Sequence, residues 1–266
     1  MDELADLYLR ALKHALTRGP APVPPRPIHA INWKRHIVDP MQSLLARGGY
    51  RIVQAPGSHP PLFAGAPETM ISLERLENVQ ACVEQILADD VPGDLIETGV
   101  WRGGTVIFMR ALLAVHGVTD RKVWAADSFQ GFPKLRRYAD DRERDFTDSW
   151  GEEFLSVDLD SVRESFRRYG LLDEQVHFLR GWFSETLPGA PIESLAILRL
   201  DGDLYESTWD AITALEPKVS AGGFVIIDDY GSFEQCRRAI HDYRDKSGID
   251  DPIERIDSEG VYWRKS

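Results

Sequence analysis

Cysteine is scarce: Cys82 and Cys236 are the only two in 266 residues, far apart and each inside a predicted helix. That leaves no support for a disulfide framework or a zinc site, and a cytoplasmic location is expected. Basic residues are outnumbered. The chain has 31 Lys and Arg against 43 Asp and Glu, a net charge of −12 and a pI near 5.1. Nonspecific nucleic-acid binding needs basic surface to meet phosphates and is not expected, although a local basic cleft stays open. No run of about 18 apolar residues occurs, so no membrane span is expected. The first 18 residues carry acids at positions 2, 3 and 6 and no basic start before an apolar core, so they do not read as a signal peptide. Internal repeats are missing too. So is any Ser/His/Asp or Cys/His grouping that would require a covalent enzyme intermediate.

What remains is ordinary globular material, 43% hydrophobic and long enough for one large α/β domain with an appended segment. Residues 2–17 read as an amphipathic helix through Leu4, Leu7, Leu9, Leu12 and Leu16. The prolines of residues 19–27 forbid helix and make an extended linker. Residues 28–66 read as a cap or arm with a short helix at 40–46, and a helical period returns over 68–89. From Gly93, strands alternate with helices. Strands are expected at 94–97, 122–126, 175–179, 195–200 and 223–227, and helices at 103–116, 159–169, 208–217 and 233–246. A closing strand pair follows at 253–256 and 260–263, and the charged stretch 134–157 reads as a lid loop. This alternation means a mostly parallel sheet covered on both faces, with an antiparallel last strand. The division is therefore residues 1–67, an N-terminal arm, and residues 68–266, the α/β domain.

Ligands of open α/β sheets bind beyond the carboxyl ends of the strands. Three acidic stretches fall there: Glu97-Thr98-Gly99-Val100-Trp101-Arg102-Gly103-Gly104, Asp201-Gly202-Asp203 and Asp228-Asp229. Gly99 permits a sharp turn after the strand, and Gly103 and Gly104 permit close approach of a ligand to the next helix. Asp127, at the end of the second strand, is suited to accept hydrogen bonds from ribose hydroxyls. The pattern is not Gly-x-Gly-x-x-Gly, since Trp101 stands where the second glycine would be. Helix-start flexibility at Gly103-Gly104 and a helix cap at Asp127 remain an alternative reading.

Asp201 and Asp203, two apart, would face one side of a regular strand, whereas adjacent Asp228 and Asp229 converge only if their strand has ended. Carboxylates drawn together repel, and a divalent cation removes the conflict. A cluster of hard oxygen ligands with no His or Cys favours magnesium. Separate solvated caps and turns are the alternative.

Whole phrases then match in order. Residues 94–104, 126–133, 169–173, 181–183, 200–203, 227–230 and 260–264 resemble the macrocin O-methyltransferase family. The resemblance implies a class I methyltransferase fold, Rossmann-like, with a seven-stranded sheet. It also implies transfer of a methyl group from S-adenosylmethionine, with Mg2+, to a sugar hydroxyl of an antibiotic glycoside. By that resemblance Thr69, Met70, Glu97 and Gly99 flank the methionine end of the cofactor. Asp127 and Ser128 meet the ribose, and Gly181 and Trp182 border the adenine, although Trp182 is equally readable as core packing. Asp201, Asp228 and Asp229 hold the metal, and Asp203 is the general base.

The motif-level likeness fades before Glu68, where Trp33, Lys34, Arg35 and His36 either meet an anionic acceptor or form a solvated face. Two rivals stay open: a catechol or phenol O-methyltransferase, and a noncatalytic cofactor-binding assembly protein. The N-terminal arm, unable to fold alone, together with the family's use of such arms at subunit contacts, implies a homo-dimer or homo-tetramer.

Overall fold

The computed structural model describes residues 3–17, 67–133 and 152–266. The predicted linker, the helix at 40–46, the basic run Trp33–His36 and most of the lid lie outside them. The described residues, Pro67 apart, belong to one compact unit, Met1–Thr17 with Glu68–Ser266.

Along the chain come α1 (Glu3–Leu16), α2 (Leu73–Ala88), β1 (Asp94–Thr98), α3 (Gly104–Val115) and β2 (Val123–Asp127). Then follow α4 (Glu152–Leu155), α5 (Leu159–Arg168), β3 (Val176–Arg180), α6 (Phe183–Thr186) and β4 (Leu195–Leu200). The chain closes with α7 (Tyr205–Leu215), a 3-10 turn (Glu216–Lys218), β5 (Val219–Ile227), α8 (Glu234–Ser247), β6 (Glu254–Arg255) and β7 (Val261–Arg264). Among the described residues seven strands form one sheet in the order β3-β2-β1-β4-β5-β7-β6. Strands β1 to β5 run parallel, and β7 is antiparallel to both β5 and β6. This is the expected topology. No helix among the described residues is long and apolar enough to cross a membrane.

Strand side chains alternate between two core layers, as a period of two requires. Leu95, Ile197, Phe224 and Ile226 face one layer, packed with Leu9, Leu76, Val83 and Phe166 of α1, α2 and α5. Ile96, Leu198, Val225 and Ile227 face the other, packed with Ile212, Leu215 and Ile240 of α7 and α8. Helix α3 carries apolar residues nearly all round, and Val106 to Leu113 are buried accordingly.

Several boundaries moved. In α1 only Leu9, Leu12 and Leu16 of the five predicted leucines are buried. Leu4 and Leu7 lie on the opposite face, 74% and 58% exposed, because a helix can turn one stripe inward. Strand β5 begins at Val219 rather than 223, since Val219 pairs with Leu195 ahead of a register shift. Helix α7 begins at Tyr205, three residues earlier than expected. The lid's end is not all loop: Glu152–Leu155 form one helical turn.

Candidate active site

The order of the parallel strands reverses about β1, which has β2 on one side and β4 on the other. Crossovers leave in opposite directions from this point, so the carboxyl ends of β1 and β4 diverge around a crevice. A cavity of about 930 Å³ opens there, ample for a ligand of drug size. Its wall includes Thr69, Met70, Glu97, Gly99, Asp127, Ser128, Gly181, Trp182, Asp201, Asp203, Asp228 and Asp229. Gly103 is the one proposed site residue that does not line it. A Cβ on Gly103 would meet Val162 Cγ1 at 2.9 Å, and one on Gly104 the Glu68 carbonyl at 2.5 Å. Contacts with α5 and with the Glu68 carbonyl are therefore enough to require glycine at both positions. Gly99 is fixed similarly: its φ is +86°, and a Cβ would lie 1.7 Å from the Asp201 carbonyl oxygen.

The β1–β2 side is built on backbone. Asp127 Oδ2 accepts the Val100 N–H at 2.8 Å, and Oδ1 accepts the Phe129 N–H at 2.7 Å. Asp127 thus holds the two turns it joins, and only its remaining lone pairs are left for a ligand. Burial raises its pKa, and these amides pull the other way. Trp101 adopts a left-handed φ of 47°. Its Nε1 donates to the Phe154 carbonyl at 2.9 Å, and the two rings lie 5.3 Å apart. That contact accounts for a large aromatic where dinucleotide folds place glycine. Trp182 is half-buried at the start of α6, on the cavity wall.

The β4–β5 side is built on ion pairs. Asp201, Asp228 and Asp229 each offer an oxygen within 4.8 Å of the others, an arrangement that fits a hard cation. Asp203 stands apart from the regular strand assumed for it. Strand β4 ends at Leu200, Asp203 has φ 56°, and its N–H donates to Asp229 Oδ2 at 3.1 Å. The expectation that Asp201 and Asp203 share a strand face is therefore replaced by a turn that aims both into the cavity.

Two arginines that the sequence reading passed over organise this side. Arg199 is fully enclosed. It donates from Nη1 to Glu97 Oε1 and, at 2.6 Å, to Asp201 Oδ2, and from Nη2 to Asp228 Oδ1. Arg75 donates to Asp228 Oδ2 at 2.8 Å, to Asp257 Oδ2 at 2.8 Å and to Glu259. Carboxylate repulsion is thus already partly relieved by guanidinium groups, so repulsion alone does not demand a metal. A signal for Arg199 existed: a charged residue inside the otherwise apolar run Leu195–Leu200 needs a buried partner. Arg75, in the first turn of a helix, carried none.

Burial dominates the ionisation of the cluster. It pushes Glu97 up to about 8 against the pull of Arg199. Burial and then Asp228 lift Asp201 to about 6, while burial, Asp201 and Asp228 lift Asp203 to about 8. Asp229 is raised for the same reasons, burial first and Asp203 next. Glu97 Oε2, buried at the cavity wall, makes no hydrogen bond of ordinary geometry among the described residues, although the Thr105 hydroxyl is near enough to draw the Glu97 pKa down a little. Such an atom calls for a donor from a ligand.

The family profile described as Macrocin-O-methyltransferase (TylF) matches residues 36–265. The chain belongs to the macrocin O-methyltransferase family. It is an O-methyltransferase, which sets aside the noncatalytic reading. The match begins at residue 36, well before Glu68, so this family's likeness reaches further into the N-terminal region than the motifs did. The chain is 60% identical over 198 residues to the 8-demethyl-8-(2,3-dimethoxy-alpha-L-rhamnosyl)-tetracenomycin-C 4'-O-methyltransferase of Streptomyces olivaceus, covering 74% of this chain and 75% of that one. It is 54% identical over 202 residues to the mycinamicin III 3''-O-methyltransferase of Micromonospora griseorubida, covering 74% and 78%. Among solved structures, the O-methyltransferase NovP superposes with a TM-score of 0.79 at 44% identity, over 98% of this chain and 99% of that one.

Proposed function

We propose that this macrocin-family O-methyltransferase moves the methyl group of S-adenosylmethionine to a sugar hydroxyl of a natural-product glycoside, with a divalent cation, magnesium, at the acidic cluster. The observation that carries this reading is one cavity shared by the Glu97–Asp127 edge and the four aspartates. Relatives named for methylation of a rhamnosyl group and of mycinamicin III support a glycoside acceptor.

In this reading Thr69, Met70, Glu97 and Gly99 take the methionine end of the donor. The buried Glu97 Oε2 suits its ammonium group. Asp127 and Ser128 take the ribose, and Gly181 and Trp182 the adenine. Asp201, Asp228 and Asp229 would hold the cation, whose chemistry when bound is to lower the pKa of a coordinated hydroxyl. Asp203 takes the acceptor proton as the oxygen attacks the sulfonium methyl. The C–O bond forms, the C–S bond breaks in line, and S-adenosylhomocysteine leaves. Alignment supplies much of the rate of such a displacement. Gly103 has no contact role here and shapes the donor loop only through packing.

The test is methyl transfer to a panel of glycosides and catechols, with and without magnesium. Transfer to glycosides only, lost on chelation, is expected. Catechol-only turnover would favour the phenol methyltransferase, and full activity after chelation would remove the cation. We further propose a cytoplasmic homo-dimer or homo-tetramer, which light scattering at micromolar concentration tests: a monomer mass excludes it.

A further inference from the structure

Arg75 occupies a place that the proposed reaction does not use. It sits in the first turn of α2 with its side chain 8% exposed, against Asp228, Asp257 and Glu259. Within the acidic cluster, Asp228 has both oxygens taken by cationic groups: Oδ1 by Arg199 and Oδ2 by Arg75. Asp201 gives Oδ2 to Arg199, and Asp229 gives Oδ2 to an uncharged backbone N–H. A metal ion entering the cluster must therefore contest Asp228 with guanidinium groups. The two are not equal competitors. Arg199 is enclosed and also bound to Glu97 and Asp201, whereas Arg75 has two other carboxylates on the turn before β7, Asp257 and the half-exposed Glu259.

We propose that Arg75 sets the cation affinity of the cluster by competing for Asp228, holding its Oδ2 while the cluster is ion-free and retreating onto Asp257 and Glu259 when a divalent cation enters. This rests on the reading of Asp201, Asp228 and Asp229 as the cation site. Charge gives the sign. Each guanidinium group against the aspartates offsets part of the negative charge that a divalent ion would meet, and removal of Arg75 restores one unit of it beside Asp228. A merely structural Arg75 would have the opposite signature, because its loss would disorder Asp228 and weaken the ion.

The experiment is a Mn2+ titration of the full chain, followed by electron paramagnetic resonance, without donor or acceptor. Arg75→Gln is expected to bind Mn2+ about tenfold tighter, the scale of a unit charge removed one carboxylate away from a divalent ion. Arg75→Lys, which keeps the charge, stays close to the parent. Asp257→Asn weakens binding, since Arg75 then lacks its more deeply buried alternative partner. Equal or weaker binding by a natively folded Arg75→Gln overturns the inference and leaves the cation site standing. If circular dichroism shows that Arg75→Gln does not fold, Asp257→Asn decides: unchanged or tighter binding overturns it. Absence of Mn2+ binding in the parent chain removes the cation site itself and this inference with it.

Discussion

The two sides of the cavity lie on one sheet edge and are held in different ways. On the β1–β2 side a single carboxylate, Asp127, ties two turns through backbone N–H groups of residues close to it or to the neighbouring strand end. On the β4–β5 side two of the four aspartates are held by arginine side chains, Asp201 by Arg199 of β4 and Asp228 by both Arg199 and Arg75 of α2, while Asp229 accepts the Asp203 N–H. Backbone scaffolding fixes a shape through one carboxylate and its amide donors, with no balance of several charges to keep. Ion-pair scaffolding fixes a charge balance, and that balance shifts with pH, with a bound cation or with the loss of one partner. The first arrangement suits a pocket for a constant ligand. The second suits the cation and proton transfer proposed for this side.

Asp203→Asn would break the comparison most visibly. Turnover should fall by about 10²–10⁴-fold, the range for a general base, with metal and donor binding retained. Single-turnover methyl transfer beside a metal titration checks this. Loss of the metal as well would make Asp203 a ligand, and another group the base.

Arg199→Met tests the ion-pair scaffold. Removing one partner of a buried charge network costs about 3–5 kcal/mol, to be read from urea denaturation of the ion-free protein. A loss below about 1 kcal/mol would mean that the carboxylates are held by something other than Arg199.

Asp127→Ala sharpens the contrast from the other side. Donor affinity should weaken by about 1.5–3 kcal/mol, the range for hydrogen bonds to a charged group. Calorimetry with S-adenosylhomocysteine gives the number. An unchanged affinity removes Asp127 from the donor site. The loss should be independent of added magnesium if the two sides are separate.

The ion-pair side also carries a pH dependence. Glu97, Asp201 and Asp203 have folded-state pKa values raised to about 8, 6 and 8, whereas exposed carboxylates titrate near 4. Between about pH 4 and 8 the folded chain holds more protons than the unfolded one, so stability falls as pH rises through that window. The melting temperature of the ion-free protein should decline from about pH 5 to pH 8, and saturating magnesium should flatten the decline. A melting temperature that rises over this range would show that the cluster is not held protonated.

The strands themselves, the parallel core and the antiparallel close were legible because their signals are local: apolar runs of five or six residues, glycines at turns, helical periods between them. So was the meeting of three acidic stretches at one edge, since the carboxyl ends of parallel strands share a side. The role of Gly103 and Gly104 was not legible, because a glycine demanded by Val162 and by the Glu68 carbonyl looks the same in sequence as one demanded by a ligand. Nor was the turn at Asp203, whose positive φ belongs to no recognisable motif.

By itself the sequence determined the sheet, the place of the cavity and the acidic character of one of its walls, because hydrophobic periodicity and strand-end chemistry act between near neighbours. The tertiary structure alone decided which charges meet. Arg75 and Asp228 are 153 residues apart, and Arg199 and Glu97 are 102 apart. Pairing at such separations depends on how helices and strands pack against one another, and an arginine in isolation does not carry that information.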